Sequence, residues 1–142
     1  MRRTDQRRAA VFICYQRDVT GAPVEELIGR GMPAEGRSVH VRGSTSASPV
    51  YTRELVEGVE ACCEELDDMI EENAIGWHLS RIAPLERAIL RVALYEIVHR
   101  PDVPDEVAVD EAVETAKLYC GIDTPGFVNG ILGGALRRVR HG

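Results

Sequence analysis

The stretch at 84–101, PLERAILRVALYEIVHRP, runs from one proline to another, and its pattern decides the fold. Leu85, Ile89, Val92 and Ala93 recur at helical spacing, and Leu90, Leu94, Ile97 and Val98 fill the remaining faces. A helix that is apolar nearly all round has no side to offer water, so it belongs at the centre of a bundle. Its few polar positions, Glu86, Arg87, Arg91 and Glu96, must then pair internally or reach a partner.

Helical spacing continues on both sides. Before it, Leu55, Val59, Cys62, Leu66, Met69 and Ile70 form one stripe, which predicts a long helix over roughly 49–73. Ser48-Pro49 is its start signal, and its acids occupy the outer, solvated face. GWHLSRI (76–82) predicts a short helix. After the central segment, Val109, Ala112, Val113, Ala116 and Cys120 share a stripe over 107–121, with Gly121 as the stop. The segment 122–139 takes Asp123 or Thr124 as cap and Pro125 in its first turn. Phe127, Val128, Ile131, Leu132, Ala135, Leu136 and Val139 make its core face. Gly126, Gly130, Gly133 and Gly134 each disfavour that helix by ~1 kcal/mol relative to alanine, so another backbone is expected to pack close to them.

At the amino end, Ala10, Ile13, Cys14 and Arg17 predict a helix over 5–18, with Phe12 and Tyr15 beside them. A second, short helix is expected over 20–31, with Pro23 at its first turn and Gly31 as its stop. Residues 31–49, rich in Gly, Ser and Pro, are expected to be a surface connection; the brief alternation in SVHVRG (38–43) is taken with it. The sum is an all-α fold of about seven helices without a sheet.

Composition narrows the function classes. At 44 % hydrophobic and 28 % charged residues, the chain has a globular rather than a disordered balance. No apolar run approaches the ~20 residues that span a bilayer, and the amino end lacks the apolar stretch of a secretion signal. A cytoplasmic protein is expected. Cys14, Cys62, Cys63 and Cys120 form no C-x-x-C pair and are expected to be small buried residues. There is no Gly-rich phosphate loop, H-E-x-x-H or G-x-S-x-G. His40, His78, His99 and His141 have no metal-ligand spacing. Neither an enzyme nor a cofactor or metal site is indicated; the pattern is that of a binding module.

Charge is unevenly spread. The net charge is −6, yet of 17 cationic residues all but Lys117 are arginines. Arg2, Arg3, Arg7 and Arg8 crowd the amino end, and Arg137, Arg138 and Arg140 the carboxyl end. No Lys or Arg lies between Glu54 and Ser80. Two basic poles flank an acidic middle, so net charge alone conceals a candidate nucleic-acid surface.

Three blocks in order, LERAILRVALYEI (85–97), VPDEVAVDEAVETAK (103–117) and FVNGIL (127–132), resemble the NusB family of bacterial transcription antitermination factors. TRELVEGV (52–59) and the arginine-rich start with Arg3, Arg7, Ala10 and Tyr15 are similar as well, and the likeness is weakest over 29–50. The resemblance implies two packed helical subdomains, about 1–75 and 76–142, without catalytic activity. It implies binding to single-stranded boxA RNA of ribosomal RNA transcripts. The protein partner would be the small-subunit ribosomal protein NusE, within an RNA polymerase antitermination complex.

On the matching positions, Arg2, Arg3, Arg7 and Arg8 would meet phosphates, for which guanidinium forks are suited. Tyr15 and Phe127 would stack on unpaired bases or pack in the core, Tyr15 also lying by NusE. Glu86 would face the basic NusE or serve as a first-turn carboxylate. Asp123 is taken as a cap. Asp5 interrupts the arginine run. Asp110 stands where asparagine is usual, and aspartate and asparagine can both cap a helix. Two other readings stand beside this one: a homodimerising helical scaffold, and a stand-alone relative of the NusB-like domain that precedes some RNA cytosine methyltransferases.

Overall fold

The computed structural model describes residues 2–29, 32–34, 37–39 and 49–141. Seven α-helices carry the fold: α1 Arg3–Thr20, α2 Val24–Gly29, α3 Val50–Ala61, α4 Cys63–Asn73, α5 Pro84–His99, α6 Asp105–Tyr119 and α7 Thr124–His141. The central position expected for 84–101 is occupied by α5, which packs against α1, α3, α4, α6 and α7. Ile89, Leu90, Leu94 and Ile97 are almost wholly excluded from solvent.

Several expectations are corrected. Two three-residue strands, β1 Met32–Ala34 and β2 Arg37–Val39, pair antiparallel within the segment read as a plain connection. The short helix expected over 76–82 is a single 3₁₀ turn, Leu79–Arg81. Pro49 is the residue before α3 rather than a member of its first turn. Ser48 and Gly31 fall outside the described residues.

The long helix of 49–73 is two helices meeting at Cys62. The Cys62 N–H closes α3 on the Gly58 carbonyl at 3.0 Å, while its own carbonyl accepts the Leu66 N–H at 3.0 Å. The bend lets one apolar stripe serve two neighbourhoods. Leu55, Val56 and Val59 are buried on α3, which meets α1 and α5. Leu66 and Ile70 are buried on α4, which meets α5 and α7.

The glycines of α7 do not all mark close packing. A methyl group at Gly126 or Gly130 would meet nothing within 4 Å; only Gly134 is tightly opposed, by the Asn73 side chain. The glycine that the packing does require is Gly58, where a Cβ would overlap the Tyr95 ring. Gly58→Ala is expected to destabilise the fold by about 1–2 kcal/mol, since overpacking outweighs the ~1 kcal/mol of helix propensity gained. Urea unfolding measures it, and an unchanged midpoint would mean that the ring moves aside freely. Gly21 ends α1 in the left-handed conformation, φ 74°, which disfavours a side chain.

The cysteines are free, but only Cys14 is buried; Cys62, Cys63 and Cys120 are half-buried, because they lie at helix ends and seams. Burial pushes the Cys14 thiol up to about 12, so it holds no thiolate at neutral pH. Among the described residues no helix is long and apolar enough to cross a membrane.

Candidate nucleic-acid and partner interface

The amino-terminal arginines start on one helix but take different environments. Arg2 is exposed, and its Nε reaches Asp5 at 3.4 Å, so the acid interrupting the run claims part of this charge. Arg3 is exposed too, and its guanidinium lies 3.8 Å from the centre of the Tyr51 ring. Such a contact holds a cation while leaving its N–H edges free.

Arg7 is a correction. One turn on from Arg3, it points into the bundle and is only 7 % exposed. Its Nε donates to Glu96 Oε2 at 2.8 Å and Oε1 at 3.0 Å. Burial works against the Arg7 charge, but the Glu96 hydrogen bond and charge more than offset it and raise its pKa. The Nε edge of the guanidinium is committed inside, on Glu96, and does not face a phosphate.

Glu96 also accepts the Tyr51 hydroxyl. Burial and that bond push the Tyr51 phenol up to about 12. Arg7, Glu96, Tyr51 and Arg3 thus form a relay from core to surface, in which the buried pair fixes the ring and the ring supports Arg3. Arg100 lies 4.9 Å from the same ring, but it is bound by Asp102 at 2.9 Å and by Glu54. Sequence reasoning singled out Glu96 as a polar residue in an apolar helix; it missed Tyr51 and Arg100, which lie far apart in the chain.

Arg8 is half-buried beside α6. Thr4 Oγ1 donates to Glu111 Oε1 at 2.8 Å, and Phe12 meets Tyr119 edge-on at 4.9 Å. Arg8 lies on α1 one turn from each, and its enclosed Nε has no hydrogen-bond partner. Tyr15, further along α1, is half-buried against the core. The rise from Arg3 to Tyr15 is about 18 Å, so the arginines and Tyr15 do not share one pocket.

Glu86 and Phe127 are brought together. They line a cleft of ≈ 280 Å³ with Trp77, Arg81, Ile82 and Asp123. Phe127 is half-buried, its ring 6.1 Å from that of Trp77 and edge-on to it. Trp77 is 52 % exposed. Glu86 accepts the Thr124 hydroxyl at 2.8 Å, which ties the start of α5 to the start of α7. Asp123 precedes α7, and its carbonyl accepts the Phe127 N–H at 3.3 Å. Trp77, half-exposed in a short turn, carried no periodic signal that would have found it.

The other polar positions of α5 turn inward. Arg87 Nη2 meets Asp18 at 2.8 Å, and Arg91 meets Asp67 at 2.7 Å. Asp67 thereby leaves the solvated acidic face to which the sequence assigned it. Among the described residues no group of three metal-ligating side chains converges.

An all-helical bundle with surface arginines at one helix start and an aromatic, acid-edged cleft defines a binding module. The NusB family model matches residues 4–137. The transcription antitermination protein NusB of Rubrobacter xylanophilus is 44 % identical over 139 residues, covering 98 % of this chain and 93 % of that protein. The T. maritima NusB structure superposes with a TM-score of 0.80 at 27 % identity, covering 96 % of this chain and 92 % of that one. A crystal structure of antitermination factors NusB and NusE in complex with double-stranded RNA gives 0.75 at 21 % identity, with 96 % of each chain covered, and shows the shared fold. The chain belongs to the NusB family.

Proposed function

We propose that this protein is a transcription antitermination factor that binds single-stranded boxA RNA of ribosomal RNA transcripts together with NusE, as part of an RNA polymerase complex. The observation that carries this reading is the presentation of Arg3: an exposed guanidinium laid on a buried tyrosine, beside Arg2 at the start of α1. A guanidinium so placed can grip phosphate with little loss of side-chain freedom. The Trp77–Phe127 cleft supplies aromatic surface of the kind on which unpaired bases stack. That a family member has been crystallised with NusE and RNA supports the choice of partners.

The test is to titrate labelled boxA RNA into the protein with and without NusE, beside a shuffled RNA. Preference for boxA, tightened by NusE, is the expected result. Equal affinity for both RNAs would leave a helical scaffold, or a non-specific binder.

Glu86 has a place in this reading as the acidic edge of the cleft, facing basic NusE. Glu86→Lys is expected to weaken the NusE complex about tenfold or more through like-charge repulsion, with the helical circular-dichroism signal retained. Unchanged affinity would limit Glu86 to its hydrogen bond with Thr124.

A further inference from the structure

A second groove adjoins the aromatic cleft. It has a volume of ≈ 590 Å³ and lies between the end of α4 and the outer face of α7. Ile75 forms part of its wall, two residues before Trp77, and Gly130 part of its floor, one turn beyond Phe127. The cleft and the groove therefore follow one another along α7. At the far end stand Arg137, Arg138 and His141. From Phe127 to Arg138 the helix rises about 16 Å, room for a few nucleotides of extended strand.

The far end of the groove is cationic and little neutralised. Arg137 has no carboxylate within 4.0 Å among the described residues. Arg138 meets only Glu72, at 3.9 Å, with both side chains more than half exposed, and such a pair is weak and screened. Helix-end electrostatics do not require these two charges. Arg140 already serves that end of α7, binding Asp105 at 2.8 Å and the Ile97 carbonyl at 2.9 Å. Ile75 is 91 % exposed and gives a flat base an apolar neighbour. The open space over Gly130 leaves the helix backbone accessible. Forked cations beyond an aromatic cleft suit a single strand better than an acidic peptide, which would have no use for the aromatic surface.

We propose that this groove carries the RNA strand onward from the Trp77–Phe127 cleft, with Arg137 and Arg138 holding its phosphates. The inference rests on the boxA reading above and extends the RNA site beyond it.

The experiment compares, on the full-length protein with NusE, a core boxA RNA with the same RNA lengthened by a few unstructured nucleotides at its 5′ or its 3′ end. One extension is expected to tighten binding about tenfold and to steepen the salt dependence by about 1.4 in the log–log slope, two phosphates at ~0.7 each. The double variant Arg137→Gln/Arg138→Gln should abolish that gain and leave the affinity for the core RNA unchanged. Glu72→Gln, which removes the one acid that lines the groove among the described residues, should tighten the extended RNA about threefold. Core binding with no gain from either extension overturns this proposal alone. A gain that survives the double variant overturns it as well. Loss of NusE affinity in the double variant, with the RNA gain intact, would assign the groove to the protein partner. Failure of the core RNA to bind removes the boxA reading, and this proposal with it.

Discussion

Arg7→Ala is expected to cost the fold about 3–5 kcal/mol, the largest effect of any single substitution considered for this protein. The residue it abandons, Glu96, is only 1 % exposed. Tyr51 would remain as a hydrogen-bond donor, but a hydroxyl does not neutralise a carboxylate, and a buried unpaired charge carries its full desolvation cost. Guanidinium unfolding curves measure the loss. Arg7→Lys should fall between, since it keeps the charge and loses the Nε–H that meets both Glu96 oxygens. A loss under ~1 kcal/mol for the alanine variant would mean that Glu96 finds water or a new partner, and the inward assignment of Arg7 would fail.

Exposed Arg2 and Arg3, together with half-buried Arg8, whose Nε is enclosed without a partner, yield the second large effect. Arg2→Gln/Arg3→Gln/Arg8→Gln removes three candidate phosphate contacts, and each contact with a single strand contributes about 0.7 to the slope of log affinity against log salt. If all three engage, the slope should flatten by about two, and low-salt affinity should fall at least tenfold. Stability should change little, because Arg2 and Arg3 are exposed, the Arg3–Tyr51 contact contributes only ~0.5–1 kcal/mol at such a site, and half-buried Arg8 gives up an Nε that has no hydrogen-bond partner. Fluorescence anisotropy over a salt series reads both quantities. An unchanged slope would place the RNA elsewhere on the molecule and reduce these side chains to a solvated helix start.

These two variants separate residues that look alike in the sequence. Four arginines within eight positions invite one shared role. Helical spacing does not separate Arg3 from Arg7, which are four apart and share a face of α1; Arg7 lies one turn deeper, where Glu96 meets it, and Arg3 stays at the exposed helix start on the Tyr51 ring. Which face is inward depends on where α5 and α3 lie, and that is no property of the run itself.

The legible part of the fold follows the same logic. The all-helical class, the central place of 84–101 and most of the buried residues could be read directly, because an apolar stripe at period 3.6 is a local statement of which face must leave water. Pro125 in the first turn of α7 was legible because helix starts obey local chemistry. The resemblance of three blocks to the NusB family also lay in the sequence, and it pointed to Glu86 and Phe127, which the fold brings to one cleft.

What the sequence by itself determined, then, is the helical class, most of the faces the helices bury and the presence of two basic poles. The tertiary structure alone decided how each charge is used. It broke the 49–73 helix at Cys62, where one stripe has to serve two packing neighbours. It drew Arg7 onto Glu96 across 89 residues of chain and set Arg3 on Tyr51. It placed Trp77 beside Phe127 and left Arg137 and Arg138 along an open groove. The reason is physical: burial of an apolar face depends on spacing within one helix, whereas an ion pair or a ring contact depends on two helices meeting at a particular register.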